Sequence, residues 1–203
     1  MNKFFSILLG VSLIGACGTS APESGHDDNH GSEASANLAD GLYAITKVAP
    51  KVTWSAEKLA GDGQQGTLAV SGGKFKVVNG RIQDGVVNFD MTQIAVTDLT
   101  GEDKASLEGH LRSGDFFNVE AHPTAVLTVN GIEGSTLSAS LDMNGGPVDY
   151  SIPVTISQTN VPGDQQGIAV TGKFKLDRTK HNITYRSQTF DDKLDWFIKD
   201  DVA

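Results

Sequence analysis

The sequence predicts an all-β protein, an antiparallel barrel of about eight strands with one short helix near its mouth. Three observations support this fold class. Apolar and polar residues alternate along most of the chain from residue 41 onward, as in strands with one buried face. Glycine-containing turn dipeptides separate the alternating runs, and a single segment has helical spacing instead. A sheet with one apolar face covers that face and loses its edges by closing into a barrel.

The strands are best seen in three runs. Every second residue is apolar along Val148–Ser157, and the same alternation occurs in Thr136–Met143 and in Val87–Met91. Asn79-Gly80 and Asn130-Gly131 favour tight hairpin turns, because asparagine and glycine tolerate the left-handed backbone that such turns need. Short strands joined by tight turns indicate an antiparallel meander.

Two stretches read almost alike. Gly61–Val77 is GDGQQGTLAVSGGKFKV, and Gly163–Leu176 is GDQQGIAVTGKFKL. Their flanking residues differ and the helical segment is not repeated, so the pair does not indicate a duplicated site. We interpret them as two curled strands, each bent at a glycine, that form two walls of one cavity. Phe75 and Phe174 would then be its paired aromatic residues.

The helix is predicted at about residues 102–112. Leu107 and Leu111 have i, i+4 spacing, and Ser113-Gly114 provides a stop signal. Thr100, followed by a carboxylate three residues later, predicts a capping box at the start. A helix inserted between barrel strands is expected to cover one mouth.

The segment before the barrel domain (41–203) predicts export. Residues 1–16 have a positive start, an apolar run and a small-residue end, which are the proportions of a signal peptide. Ile14–Cys17 resembles a bacterial lipobox, so we expect cleavage before Cys17, acylation of its new amine and thiol, and a flexible tether over 17–40. The expected location is the bacterial cell envelope, lipid-anchored, periplasmic or outer-membrane.

Charge and cysteine content exclude two classes of protein. The formal net charge is −9 and no basic stripe is present, so a nucleic-acid partner is not expected. The chain has a single cysteine and therefore no intramolecular disulfide, so the fold depends on its core.

One segment identifies a family. LEGHLRSGDFFNVEAHPTA, Leu107–Ala125, closely resembles the signature of the YceI-like family of periplasmic lipid-binding proteins, and Val52-Thr53-Trp54 and Phe174–Thr179 agree with it. The resemblance spans about residues 41–201. It implies a lipocalin-like barrel that holds a polyisoprenoid or similar long-chain amphiphile, with no cofactor and no enzymatic activity. His181 departs from the pattern, since an aromatic residue is expected there.

The residues predicted to contact the ligand are large apolar or aromatic side chains that face inward by alternation or belong to the mouth motif. They are Trp54, Phe75, Phe89, Met91, Phe116, Phe117, Leu127, Tyr150, Ile152, Val154, Phe174, Ile183 and Tyr185. The same alternation turns Val87, Leu141 and Val170 inward. A ligand-binding interior should contain a continuous cavity of at least ~300 Å³.

Two other functions stay open. His110, Asp115 and His122 could serve a hydrolase, because two histidines and a carboxylate can bind zinc and a His–Asp pair can act as a general base. No G-x-S-x-G or H-E-x-x-H motif accompanies them, which favours a structural role. The second alternative is an envelope stress adaptor with a vestigial cavity. The family pattern continues with a strand beyond residue 201, so an open edge there would allow a homodimer.

Overall fold

The computed structural model describes residues 11–14, 38–45, 51–58, 63–161, 165–187, 190 and 198–202. Cys17 and most of the expected tether lie outside this part of the chain. The α-helix within it is too short to cross a membrane. In chain order, the elements are β1 (Val11–Ile14), β2 (Gly41–Ile45), β3 (Lys51–Lys58), β4 (Gln64–Val78), β5 (Arg81–Val96), α1 (Gly101–Arg112), β6 (Thr124–Glu133), β7 (Thr136–Asp142), β8 (Pro147–Val161), β9 (Gln165–Gly172), β10 (Leu176–Asp177), a 3-10 turn (Arg178–His181) and β11 (Ile198–Val202).

The strands form an antiparallel ring. Its order is β4-β2-β1-β9-β8-β7-β6-β5, and β5 pairs in turn with β4. This arrangement confirms the predicted barrel of about eight strands. The sheet continues from β4 through β3 and β11 to β10. β11 is paired on both sides, with β10 and with β3, and on this side the sheet ends at the two-residue β10.

The two similar stretches form bent strands, as expected. β4 pairs with β3 through its first half and with β2 through its second half, and its register with β5 shifts between Val70 and Gly72. β9 ends at Gly172, and the chain resumes as β10 with β11 as its partner. A Cβ on Gly172 would lie 3.0 Å from the Val154 side chain and 3.1 Å from that of Ile152. A larger residue at this bend would therefore need these neighbours to shift by a few tenths of an ångström.

Helix α1 begins at Gly101, one residue before the predicted start, and ends at Arg112. Thr100 occupies the N-cap position, but its side chain makes no capping hydrogen bond, so the predicted capping box is wrong. The reason is the left-handed backbone of Gly101, with φ of 61°, which turns the chain between the cap and the first helical turn. The predicted stop is confirmed, since Ser113 caps the C-terminus.

Side chains fix α1 over one end of the barrel. The Val96 amide donates to Glu108 Oε1 at 2.9 Å, and Arg112 Nη2 donates to the Ile94 carbonyl at 2.9 Å. Both partners lie at the C-terminal end of β5, and Leu111 on the same helix is buried. The helix therefore covers a barrel mouth, as the sequence predicts.

The other end of the barrel is filled by side chains. Its core residues have at most 9% of their surface exposed, and they are Tyr43, Ile45, Phe75, Val77, Ile82, Val87 and Val129. Two of them meet the same glycine across the ladder: Phe75 pairs with Gly85, which pairs with Val129. The interior is therefore packed at this end of the barrel.

Candidate ligand-binding cavity

A cavity of about 140 Å³ lies inside the barrel at the α1 end. β3, β5, β6, β7 and β8 provide most of its wall, and Leu111 of α1 and the loop after the helix complete it. Apart from Arg178, all the lining residues are apolar or glycine. The cavity is smaller than the ~300 Å³ expected for a ligand site, so the enclosed space suits only a small apolar group.

Most of the predicted ligand-contacting residues lie on this wall. They are Trp54, Phe89, Met91, Phe116, Phe117, Leu127, Ile152, Val154, Phe174 and Ile183. Leu141, which alternation turned inward, lines the cavity as well. The structure brings these side chains together from seven separate segments of the chain, as expected for one shared interior. Contact with a ligand stays a prediction for each of them.

Three of the predicted residues do not line the cavity. Phe75 lies at the filled end, where its ring occupies the space over Gly85. Tyr150 is half-buried beside the wall, with its ring 5.2 Å from that of Phe174. Tyr185 lies beside the mouth, with its ring 4.8 Å from that of His110. Alternation along a strand specifies the side of the sheet but not the level along the barrel, and this explains the difference for Phe75.

Several wall residues were not predicted. They are Val52, Ala56, Leu68, Ile94, Leu111, Ala125, Leu137, Met143, Gly172, Leu176 and Arg178. Ala125 and Leu137 share the alternating face of predicted neighbours, so the same pattern could have found them. Arg178 lies in the family-like segment Phe174–Thr179, from which it is expected to close the barrel end by pairing with Asp177 or Asp115, but alternation does not place a cation against an apolar interior.

Aromatic rings surround the mouth. The His110 ring lies edge-on to Phe116 at 5.0 Å and to Tyr185 at 4.8 Å, and the Phe116 and Tyr185 rings are 5.5 Å apart. Phe116 is buried, and Phe117, the next residue, is half-buried. Edge-to-face packing at these distances is favourable by about 0.5–1.5 kcal/mol per pair beyond the area buried. The rings therefore hold the loop after α1 in place beside the cavity.

The candidate hydrolase residues do not converge. His110 Nε2 lies 3.2 Å from Asp115 Oδ2, so this pair forms at the surface of the mouth. His122 is joined to the loop only through its amide, which donates to the Asn118 carbonyl at 2.9 Å. In the described part of the chain, no three histidine, cysteine, aspartate or glutamate side chains are grouped as metal ligands would be. The geometry provides a His–Asp contact but no metal site there.

A buried histidine and a half-buried tyrosine contact each other beside the cavity wall. His181 is fully buried, and its Nδ1 lies 3.3 Å from the Met143 carbonyl. A carbonyl only accepts, so Nδ1 carries the proton and Nε2 accepts the Tyr150 hydroxyl at 2.9 Å. Burial lowers the pKa of His181, opposed by the Met143 carbonyl, and burial with the charge of Asp177 raises the pKa of Tyr150 to about 12. Both groups are therefore neutral near pH 7.

Two side chains connect the mouth loop to the segment after β10. Asn144 Nδ2 donates to the Phe116 carbonyl at 3.0 Å and to the His181 carbonyl at 3.2 Å. Arg178 Nη1 donates to the carbonyls of Ile183 and Tyr185 at 2.9 and 2.8 Å. The buried guanidinium thus shapes the backbone that carries Ile183 onto the wall.

Comparisons with known proteins agree with this architecture. The sequence profile of the YceI-like domain matches residues 43–203. No curated protein matches the sequence significantly. Among solved structures, the Burkholderia cenocepacia protein BcnA is similar with a TM-score of 0.58 and 15% identity, over 75% of this chain and 90% of that one.

A Campylobacter jejuni YceI protein is also similar, with a TM-score of 0.45 and 13% identity, over 87% of this chain and 88% of that one. At such low identity, the match to BcnA supports the fold and nothing finer. The family profile covers most of the chain and includes β3 to β11, α1 and the mouth loop. The chain belongs to the YceI-like family.

Proposed function

We propose that this protein binds the apolar chain of an amphiphilic lipid, a polyisoprenoid or a similar long-chain molecule, in the cavity beneath α1. The observation that carries the proposal is the apolar wall itself, since ten of the predicted ligand residues meet around one enclosed space. Burial of apolar area is favourable by about 25 cal/mol per Å², so a hydrocarbon chain needs no charged contact to be held there.

The polar end of the lipid would lie at the mouth. His110 and Asp115 are partly exposed there, next to the aromatic rings of Phe116 and Tyr185. Aromatic rings beside polar groups suit the boundary between a buried chain and a hydrated head group. The deeper wall offers apolar surface and one cation, Arg178, whose Nη1 already donates to two carbonyls.

Binding accounts for the site better than catalysis does. His122 does not join the His110–Asp115 pair, and the pair lies at the surface rather than inside the cavity. A general base must reach a proton of its substrate, and a nucleophile or metal should lie within hydrogen-bonding range of it. In the mouth loop, ring packing holds the residues beside the cavity in place. This arrangement supports a role in carrying or sequestering a lipid.

We also propose that the protein is a lipid-anchored component of the bacterial cell envelope, acylated at Cys17. Support comes from the lipobox-like sequence Ile14–Cys17 after the apolar segment. The structure pairs Val11–Ile14 with β2 and β9, so cleavage before Cys17 would remove β1 from the mature protein. The mass of the protein isolated from bacterial membranes should show loss of residues 1–16 and added acyl chains. A Cys17→Ser variant should stay unprocessed, and an unmodified wild-type mass would contradict the anchor.

Lipid binding is tested directly by recovery of the ligand. The full chain with Cys17→Ser, which keeps its apolar signal segment, is purified from bacterial membranes in a mild detergent, and native mass spectrometry and solvent extraction then look for a bound lipid. We expect one lipid per chain. Adding Ala125→Leu, which places a larger side chain into the cavity wall, should abolish recovery. Repeated recovery of an empty Cys17→Ser chain would overturn the proposed function in favour of the adaptor.

A further inference from the structure

The buried histidine His181 does not line the cavity, but it adjoins the wall at three points. Its Nδ1 lies 3.3 Å from the carbonyl of Met143, and Ile183 follows it by two residues. Its ring stacks on that of Tyr150 with the centroids 6.0 Å apart, and the Tyr150 ring lies 5.2 Å from that of Phe174. Met143, Ile183 and Phe174 all line the cavity. The state of His181 therefore bears on the wall through its direct neighbours.

The hydrogen bonds of the His181 ring fit its neutral form. The Met143 carbonyl accepts from Nδ1, and the Tyr150 hydroxyl donates to Nε2 at 2.9 Å. A protonated ring carries a hydrogen on both nitrogens, so the Tyr150 hydroxyl would have to turn its own hydrogen away. The His181 side chain is also fully buried, where a cation lacks the water that would solvate it. The wall as it stands therefore disfavours the protonated ring.

The charged groups around His181 do not reverse this preference. Burial lowers its pKa most, its carbonyl partner, Asp177 and Asp142 oppose that effect, and Lys180 adds to it, so that the net shift is downward. Asp177 belongs to β10, Lys180 to the 3-10 turn and Asp142 to the end of β7. Tyr150, on β8, has its pKa raised to about 12 and stays neutral. The surroundings of the ring thus favour its neutral form.

The segment that carries His181 and Ile183 lies outside the strands and is held by side chains. Asn144 Nδ2 donates to the His181 carbonyl at 3.2 Å, and Arg178 Nη1 donates to the Ile183 carbonyl at 2.9 Å. The segment consists of the 3-10 turn and the irregular residues 182–187. A segment of this kind can open locally while the strand ladders of the barrel stay paired.

We propose that protonation of His181 moves this segment away from the wall and releases the bound lipid chain, so that the protein holds its ligand near neutral pH and gives it up in acid. This inference rests on the proposed function, because it concerns the same cavity. In the released state, the His181 ring reaches water and Ile183 leaves the wall. His181 is thus a positioning residue, which acts on the ligand through the wall.

The direction of the effect follows from proton linkage. The closed wall holds neutral His181, whereas the exposed ring of the released state titrates near its ordinary pKa of about 6.5. Above that pH, both states hold the neutral ring, and the affinity is complete. As the pH falls below about 6.5, the released state takes up a proton that the closed state resists, so the affinity decreases by at most about tenfold per pH unit.

The affinity of the cavity for a small alkanol tests this inference. The probe is 1-hexanol, because a cavity of about 150 Å³ with apolar walls accepts a molecule of six carbons such as benzene. It is titrated calorimetrically into the full chain with Cys17→Ser, after bound lipid has been removed on hydrophobic beads. The detergent has a rigid steroid body, which is too wide to compete for the cavity.

The affinity at about pH 5 should be about threefold to thirtyfold lower than at about pH 7.5. Circular dichroism at both pH values checks that the barrel stays folded, so that the fall reports the wall and not global unfolding.

Variants of His181 and Tyr150 should change the pH dependence. His181→Gln and His181→Phe remove the titrating group, so the affinity should be equal at the two pH values. Tyr150→Phe removes the hydroxyl that donates to the neutral ring, so the fall in affinity should begin at a higher pH. A residue with a purely structural role would instead lower the affinity equally at both pH values. His122→Gln, which removes a partly exposed histidine of the mouth loop, is the matched control.

The outcomes separate this inference from the proposed function. Hexanol binding of equal strength at both pH values would overturn acid release and leave lipid binding intact. A fall that persists in both His181 variants, or that disappears equally in His122→Gln, would overturn the role of His181. Recovery of a lipid from the cells without hexanol binding at the higher pH would also overturn the inference, since the cavity would not be the space that His181 controls. If no lipid is recovered and no hexanol binds, both proposals fail.

Discussion

The two ends of the barrel are built from the same strands but differ in what fills them. At one end, Phe75 and Ile45 reach across glycines of neighbouring strands, and the interior is packed. At the other end, Phe89, Leu127 and Ile152 line the wall and leave about 140 Å³ open beneath α1. Both sets of side chains are buried and apolar. Burial alone therefore does not distinguish a core residue from a cavity residue in this fold.

The two ends therefore differ in role: the filled end stabilises the fold, and the open end is available for ligand binding. Protein interiors are close-packed, and a side chain that faces a void lacks contact partners on that side. The filled end should therefore contribute more stability per side chain, and the open end should tolerate changes that alter ligand binding. The predictions below test this separation of stability from ligand binding.

Truncation of an aromatic ring should be more destabilising at the filled end. Phe75→Ala should lower the free energy of unfolding by about 3–5 kcal/mol, the usual range for a buried phenylalanine. Phe89→Ala, on the cavity wall, should lower it by about 1 kcal/mol less, since its ring already lacks neighbours on one side. Urea unfolding of both variants in the Cys17→Ser chain measures the difference. Equal losses would show that the open end is packed as tightly as the other.

Enlargement of a buried alanine should likewise destabilise the protein less on the cavity wall than outside it. Ala125 lines the cavity, and Ala139 is equally buried but is not one of the lining residues. Ala139→Leu should cost about 1–3 kcal/mol by overpacking against its neighbours. Ala125→Leu should change stability by less than about 1 kcal/mol because the cavity accepts the added atoms. Urea midpoints and alkanol titrations check both effects, and loss of binding in Ala139→Leu alone would contradict the assignment of the cavity.

Most of the fold could be predicted from the sequence, and ten of the thirteen residues predicted to contact the ligand lie on the cavity wall. Period-two alternation predicts that Ile152 and Val154 face inward, because only one face of a curled sheet is buried. It does not predict that Phe75 belongs to the filled end, since its level along the barrel depends on the Gly85 opposite to it. Tyr185 was misplaced because its surroundings come from α1 and the 3-10 turn rather than from a strand.

The polar contacts behind the wall could not be predicted from local patterns. His181 and Tyr150 are thirty-one residues apart and meet only after β8 and the 3-10 turn fold together. Arg178 donates to carbonyls of Ile183 and Tyr185, which follow it in an irregular segment with no periodicity. The family resemblance marked His181 as a departure but gave no partner for it. Such contacts depend on long-range geometry, for which a single sequence has no local signal.

Acidification should weaken the open end, where the buried titratable groups lie. Burial lowers the pKa of His181 below its usual value of 6.5, and the Met143 carbonyl, Asp177 and Asp142 oppose that shift. The folded state therefore favours neutral His181, and this contribution is complete above about pH 6.5. As the pH falls below that value, the unfolded chain takes up a proton that the folded chain resists, so stability decreases. Urea midpoints at about pH 5 and about pH 7.5 measure the loss.

Matched variants assign that pH dependence. His181→Gln should reduce the loss of stability between the two pH values, since the titrating group is gone. His122→Gln, which removes a partly exposed histidine of the mouth loop, is the matched control. If His181→Gln and His122→Gln behave alike, the buried histidine does not cause the effect.

The smallest effect is expected at the rim of the mouth. The side chains of His110 and Asp115 are 36% and 58% exposed, so Asp115→Asn should change the free energy of unfolding by less than about 0.5 kcal/mol. His110→Ala should cost about 1 kcal/mol, because it also removes ring contacts with Phe116 and Tyr185. Urea unfolding measures both, and alkanol affinity should survive Asp115→Asn. If the protein were a hydrolase, the unsubstituted chain would turn over an ester probe, and both substitutions would abolish that turnover. A loss of turnover on that scale would make the pair catalytic and assign the rim, rather than the wall, as the functional site.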